Sequence, residues 1–151
     1  MKAALLRAFG TPLTCEEVAP PVPGPADILI QVMACGTDGT DLKLLEGFGY
    51  RPDLPFIMGH EPSGLVTQVG EAVEDFRVGD RVITYNFFHC GRCLNCRRGR
   101  EQICPHIDRI VGVRGVAGGY ADYLCVPAQQ AVTIPPGIDW HDAAVLCDAG
   151  C

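Results

Sequence analysis

Long hydrophobic runs are missing from this sequence of 151 residues, and no apolar stretch approaches the ~20 residues that a membrane-spanning helix needs. The opening Met1-Lys2-Ala3-Ala4-Leu5-Leu6-Arg7 breaks its apolar run too soon for a secretory signal, so a cytoplasmic protein is expected. An excess of positive charge is also missing. Twelve Lys and Arg stand against 18 Asp and Glu, a formal net charge of -6, which leaves the chain as a whole without an electrostatic footprint for nucleic acid or an anionic membrane. There is no internal repeat or low-complexity tract. Nor is there a G-x-G-x-x-G turn between a strand and a helix to cradle a dinucleotide, because Gly112, Gly115, Gly118 and Gly119 lie ahead of a predicted strand.

What is present is a globular composition, 48% hydrophobic and 20% charged, of a length that suits one domain. Gly (18) and Pro (12) are abundant without a collagen-like period, which favours a turn-rich β protein over a helical bundle. Strands are predicted over Met1 to Phe9, over Ile28 to Ala34, twice between Gly64 and Val82, and over Gly119 to Pro127. Pro20 to Pro25 reads as an extended connector. Short helices are predicted from Thr40 to Gly47 and from Asp139 to Ala144.

The nine cysteines are an odd number in a chain expected in a reducing compartment, where clustered cysteines hold metal more often than they form disulfides. Four of them, Cys90, Cys93, Cys96 and Cys104, follow a C-x2-C-x2-C-x7-C spacing. Four thiolates on one short lobe, with turns at Gly91 and Gly99, suit a tetrahedral zinc ion, and a site closed by four protein ligands is structural rather than catalytic. Arg92, Arg97, Arg98 and Arg100 offset the negative charge of a tetrathiolate centre. A disulfide pair and a zinc-ribbon nucleic-acid module are the rival readings. Cys15 and Cys125 read as small core residues, and His89, His106 and His141 as surface or packing residues.

A second constellation begins at Gly59-His60-Glu61-Pro62-Ser63-Gly64 and continues with Gly70 and Val73. Gly79-Asp80-Arg81-Val82, the cysteine lobe and Gly118-Gly119-Tyr120-Ala121-Asp122-Tyr123 follow in order. This succession resembles the catalytic domain of zinc-dependent medium-chain alcohol dehydrogenases, with the G-H-E-x-x-G-x5-G-x2-V signature met from Gly59 to Val73. The resemblance covers nearly the whole chain and implies a mainly β fold: a GroES-like, partly open β-barrel over residues 1–151, with a zinc lobe at about 88–106 and a few short helices. The Rossmann domain that binds the nucleotide is absent, so the chain is expected to be the catalytic domain of a longer enzyme and to be inactive alone.

The resemblance also implies a second, catalytic metal site. Asp38 stands where the family has a ligand cysteine, His60 is the second ligand, and Asp148 falls at the third position; Cys147 is the alternative for a register one residue away, and Cys35 would require a three-residue change. Zinc with Asp38, neutral His60 and Asp148 is formally neutral, like a site of two thiolates and one histidine, and keeps its Lewis acidity. Glu61 is then an outer or exchanging fourth ligand, Asp41 the carboxylate that fixes the His60 tautomer, and Thr40 the hydroxyl that starts a proton relay.

Blander readings stay open for each. Asp38 suits a turn, Thr40 and Asp41 suit a helix cap, and Glu61 suits a buried ion pair. The expected function is oxidation of a small alcohol, or the reverse reduction of an aldehyde or ketone, with hydride passing to NAD or NADP in the complete enzyme. A non-catalytic, zinc-stabilised module with a decayed site is the alternative. No nucleic-acid or membrane partner is expected, and a homo-oligomer is left open.

Overall fold

A computed structural model describes residues 1–150. Strand β1 (Lys2–Leu6) pairs with β2 (Thr14–Glu17) and, after β3 (Asp27–Gly36) and helix α1 (Gly39–Leu45), with β4 (Phe56–Ile57). The longer sheet is completed by β5 (Glu61–Val69), β6 (Arg81–Thr84), β9 (Tyr123–Pro127) and β10 (Ala131–Thr133), in the order β10-β6-β5-β3-β9. A small parallel pair, β7 (Ile110–Val111) and β8 (Gly115–Val116), lies between them in sequence, and helix α2 (Trp140–Val145) ends the described chain. The two larger sheets are joined where the chain ahead of β9 bonds to both: Ala4 N–H donates to the Tyr120 carbonyl, and Val32 N–H to that of Asp122. The result is mainly β, as the glycine- and proline-rich composition favours, and is the partly open barrel that the family resemblance implies. No helix among the described residues is long and apolar enough to cross a membrane.

The core falls into two clusters. Ile28, Ile30, Val66, Val82, Leu124 and Val126 form one buried cluster with Phe88 and Val111, and Leu6, Leu44, Phe56 and Met58 form a second beneath α1. On β9 burial alternates as period-2 patterning requires, whereas Ile28, Leu29 and Ile30 of β3 are buried in succession because neighbours cover both faces.

Some local expectations need correction. The first strand ends at Leu6 rather than Phe9, and the last predicted strand starts at Tyr123 rather than Gly119, because residues 118–122 spend their backbone bonds on cross-links between segments. Strands β2, β4, β7, β8 and β10 had no clear local signal. Cys15 is exposed on the edge strand β2 and Cys125 is only half-buried, so neither is a core residue. His106 and His141 are exposed, and His89 packs edge-on against Tyr85 with ring centroids 6.0 Å apart.

The register of β3 against β5 decides what can meet. Its last pair is Gly36 with Glu61, so Asp38, just past β3, lies beside His60, just before β5. An extra residue at Met33 breaks the ladder between Val32 and Ala34 and re-aims the end of β3. Gly36 leaves room there for the buried Glu61 side chain, whose carboxylate a Cβ would displace. Gly59 has a φ of 94°, and a Cβ would come 2.5 Å from the Tyr120 ring, so the turn that carries His60 needs glycine for both conformation and space.

Helix α2 brings the third segment. Asp139 caps it, accepting from the N–H groups of His141 and Asp142. The Ser63 hydroxyl donates to the Trp140 carbonyl at 2.6 Å, and Arg81 lies 4.2 Å over the Trp140 ring while donating to the Ile138 carbonyl. These contacts fix α2 against β3 and β5, and the chain leaving it carries Asp148 back toward His60.

Candidate metal centres

The Sγ atoms of Cys90, Cys93, Cys96 and Cys104 converge within 4.8 Å of one another, and four of the six pairs are 3.4 to 3.9 Å apart. A disulfide would bring two sulfurs to about 2.05 Å. Four sulfurs at about 2.3 Å from a tetrahedral zinc are about 3.8 Å apart, so the cluster has the dimensions of a tetrathiolate cage. The backbone is arranged for thiolates: the N–H groups of Cys93, Cys96 and His106 point at the sulfurs of Cys90, Cys93 and Cys104. Backbone N–H donors, that of Arg92 foremost, hold the Cys90 thiol down at about 6, whereas burial raises that of Cys96 to about 12. Gly91 and Gly99 both take positive φ, and the four arginines of the lobe are exposed.

The second group comes from distant segments. Asp38, His60 and Asp148 each offer a ligand atom, and these atoms all lie within 4.8 Å of one another. His60 Nε2 is 3.5 Å from Asp38 Oδ1 and 3.2 Å from Asp148 Oδ2, and its Nδ1 is 3.5 Å from Asp41 Oδ2. The imidazole is 2% exposed, and neither ring nitrogen makes a well-formed hydrogen bond. Burial opposes charge on this ring, yet Asp41, followed by Asp38 and Asp148, raises its pKa above the ordinary value.

Glu61 is buried one residue away. Its Oε1 accepts the Ala149 N–H at 2.7 Å, and its Oε2 has no partner. Among the described residues, no Lys or Arg pairs with Asp38, Asp41, Glu61 or Asp148. A histidine with bare nitrogens among carboxylates that are buried (Asp41, Glu61), half-buried (Asp38) and exposed (Asp148) forms a donor set that fits a divalent cation.

Asp38 and Asp41 also close a capping box on α1. Asp38 Oδ1 accepts from Thr40 N–H at 2.6 Å, and Asp41 Oδ2 accepts from Asp38 N–H at 3.1 Å. One pair of carboxylates thus serves the helix end and faces His60 as well. The Thr40 hydroxyl donates to Asp38 Oδ2 at 3.3 Å. Cys147 lies outside the metal-like group: its thiol donates to the Ala144 carbonyl at 3.0 Å, and burial pushes its pKa far up. Burial likewise raises Cys35 to about 12.

A cleft of about 80 Å³ opens on this group. Thr40, His60, Asp148 and Asn86 supply its polar lining, and Tyr50, Phe87, Ile110 and Val113 its apolar lining. Sequence reasoning passed over Asn86, although an amide inside the run Tyr85-Asn86-Phe87-Phe88 is a polar interruption worth flagging.

The cap and ligand roles of Asp38 can be separated. Asp38→Asn keeps an N-cap acceptor, so the melting of metal-free protein is expected to stay within about 0.5 kcal/mol of the parent, whereas Asp38→Ala loses about 1 kcal/mol. Both substitutions are expected to weaken the second metal by more than ~100-fold, beyond what loss of an outer-shell partner costs. Thermal melts paired with metal titration read the two effects; a metal retained by Asp38→Asn would leave Asp38 as a cap alone.

Residues 24–136 match the model of the alcohol dehydrogenase GroES-like domain. The chain is 38% identical to an alcohol dehydrogenase of Geobacillus stearothermophilus over 152 aligned residues, covering 99% of this chain and 44% of that protein. It is 41% identical to the L-threonine 3-dehydrogenase of Pyrococcus abyssi, covering 87% of this chain and 37% of that one. Among solved structures, a cobalt- and zinc-bound thermostable alcohol dehydrogenase from Pyrobaculum aerophilum superposes with a TM-score of 0.90 at 35% identity, covering 97% of this chain and 44% of that chain. The chain thus spans less than half the length of these relatives.

Proposed function

The chain belongs to the alcohol dehydrogenase GroES-like domain family, and from that membership we propose that it is the metal-binding, alcohol-activating part of a zinc-dependent, nicotinamide-linked dehydrogenase. The observation that supports this reading is the convergence of Asp38, His60 and Asp148, the last two lining the cleft, without a Lys or Arg partner among the described residues. Cys90, Cys93, Cys96 and Cys104 would hold a structural zinc, and Asp38, His60 and Asp148 a catalytic one. A bound catalytic zinc would supply Lewis acidity toward an alcohol oxygen.

The chain's own residues do the rest. Asp41 at Nδ1 keeps the His60 ring oriented and its other nitrogen turned to Asp38 and Asp148. Thr40 lines the cleft and its hydroxyl donates to Asp38 Oδ2 at 3.3 Å, which leaves a lone pair to accept a hydrogen bond from the substrate hydroxyl as its proton leaves toward solvent, with Asp38 remaining anionic. Phe87, Ile110 and Val113 limit water around the reacting carbon. The substrate class is a small alcohol, or an aldehyde or ketone in reverse, and the hydride acceptor is NAD or NADP held by residues outside this sequence.

A competing reading, a zinc-stabilised module without catalysis, draws on the engagement of Asp38 and Asp41 in the capping box. Anomalous diffraction at the zinc edge, from crystals grown with zinc, separates the two. Two peaks per chain, one in the cysteine cage and one beside His60 Nε2, are expected. No peak at His60 at saturating zinc would overturn the catalytic reading.

A further inference from the structure

Tyr120 does not line the cleft, yet it ties together two of the segments that build the second group. Its backbone N–H donates to the Met58 carbonyl at 3.0 Å, and Gly119 N–H donates to that of Gly59 at 2.7 Å, so this stretch runs along the turn that delivers His60. Its ring packs on the cluster of Leu6, Leu44, Phe56 and Met58 and lies against Gly59, where a Cβ would come 2.5 Å from it. Its hydroxyl reaches the other segment, 2.8 Å from the Thr37 hydroxyl, one residue before Asp38. Burial foremost raises the phenol pKa, and the charge of nearby Asp41 adds to this, so the group is a neutral hydroxyl with a proton to donate. Asp41 Oδ1 is buried without a partner.

We propose that Tyr120 is a positioning residue for the metal at His60: its hydroxyl, paired with Thr37, braces the segment carrying Asp38 and Asp41 against the turn carrying His60. The proposal rests on the metal-binding reading of that group. The need for a brace comes from charge. Asp38, Asp41, Glu61 and Asp148 crowd one histidine with no Lys or Arg paired to them among the described residues, and until a cation binds, their mutual repulsion favours splaying the segments apart. Affinity for the metal falls in proportion to the fraction of chains whose ligands are already together. The ladder of β3 with β5 ends at Gly36 and Glu61, and the contact of Thr37 with Tyr120 is the next tie beyond it. The hydroxyl pair also has a direction. With Thr37 donating, the phenol proton is free to face the Asp41 carboxylate, the group set against His60 Nδ1.

The test is a cobalt titration of protein whose cysteine cage already holds zinc, read by the visible absorption of cobalt at the His60 site. Tyr120→Phe keeps the ring and removes the hydroxyl, Thr37→Val removes its partner, and Thr37→Ser keeps a hydroxyl there. Tyr120→Phe and Thr37→Val are each expected to weaken cobalt binding about fivefold, the worth of one net hydrogen bond, and to alter the absorption spectrum in the same way. Because both act on one contact, the double variant is expected to lose no more than either alone, and Thr37→Ser to stay within about twofold of the parent. Zinc content and circular dichroism certify each fold, and Thr37 is exposed, so its variants report even where Tyr120→Phe does not fold. Cobalt binding by Thr37→Val or folded Tyr120→Phe within about twofold of the parent, losses that multiply in the double variant, or a Thr37→Ser as weak as Thr37→Val overturns the proposal and leaves the metal reading standing. A parent that takes no cobalt outside the cage overturns that reading and the proposal with it.

Discussion

Cys93→Ser is expected to release zinc from the cysteine lobe and to open it to trypsin after Arg97, Arg98 or Arg100, while the barrel stays folded. The lobe has almost nothing else to hold it. Its larger apolar side chains, Leu94 and Ile103, are 61% and 55% exposed. The Asn95 side chain bonds the Ile103 carbonyl at 2.8 Å, a contact worth about 1 kcal/mol, against about 10–16 kcal/mol for a structural zinc in small metal-dependent folds. The metal term therefore decides whether the lobe is ordered.

The neck of the lobe belongs to the barrel, because Phe87 bridges Ile110 and Phe88 N–H donates to the Arg109 carbonyl, with Phe88 in the main core. Unfolding should stop at that neck. Limited proteolysis read by mass spectrometry, with metal analysis and circular dichroism on the same samples, checks all three parts. A variant that keeps one tight zinc in the lobe and full trypsin resistance would refute the tetrathiolate assignment.

Mild chelation is expected to strip the metal at His60 and spare the one in the cysteine cage. Four soft thiolates on one short segment, aided by backbone N–H donors, form a cage matched to zinc. Asp38 and Asp148 are hard oxygens, and with His60 they must be brought together from three segments that only the folded barrel aligns. Asp148 is also the most exposed of them, its side chain 41% exposed. Oxygen ligands relax the choice of metal, so cobalt and manganese should exchange into this position and leave the cage untouched. Metal content before and after dialysis against a weak chelator is expected to fall from two ions per chain toward one. Two equally resistant zincs would contradict the hard-ligand reading and bring Cys35 or Cys147 forward as ligands.

The part of this protein that the sequence determines by itself is the part encoded locally. The cysteine spacing states its own geometry, because four ligands on one short segment with Gly91 and Gly99 at the turns have few ways to close other than around one point. The Thr40-to-Gly47 stretch announces a short helix, although its N-cap is Asp38 rather than Thr40 or Asp41, and β9 lies within the strand expected over Gly119 to Pro127. Glycine and proline content, with the Gly59-to-Val73 signature, sufficed for the barrel class. Strand β2 escaped notice because Thr14-Cys15-Glu16-Glu17 shows no apolar alternation: it is an edge strand with mostly exposed side chains, ordered by its ladder to β1. The same exposure made Cys15 a misread core residue.

The residues of the second group are named in the sequence only through the family resemblance, and tertiary structure is what brings them together. Asp38 reaches His60 through the bulged register of β3 against β5, and Asp148 reaches it because Ser63 and Arg81 dock α2. It also decides that Asp38 and Asp41 serve as caps while facing the histidine, and that Asn86 has one amide atom engaged and the other bare. The physical reason is the range of the interactions. Capping and metal-ligand spacing act over a few residues and leave a mark in the order of side chains, whereas strand register, helix docking and an unmatched donor depend on which distant surfaces end up in contact.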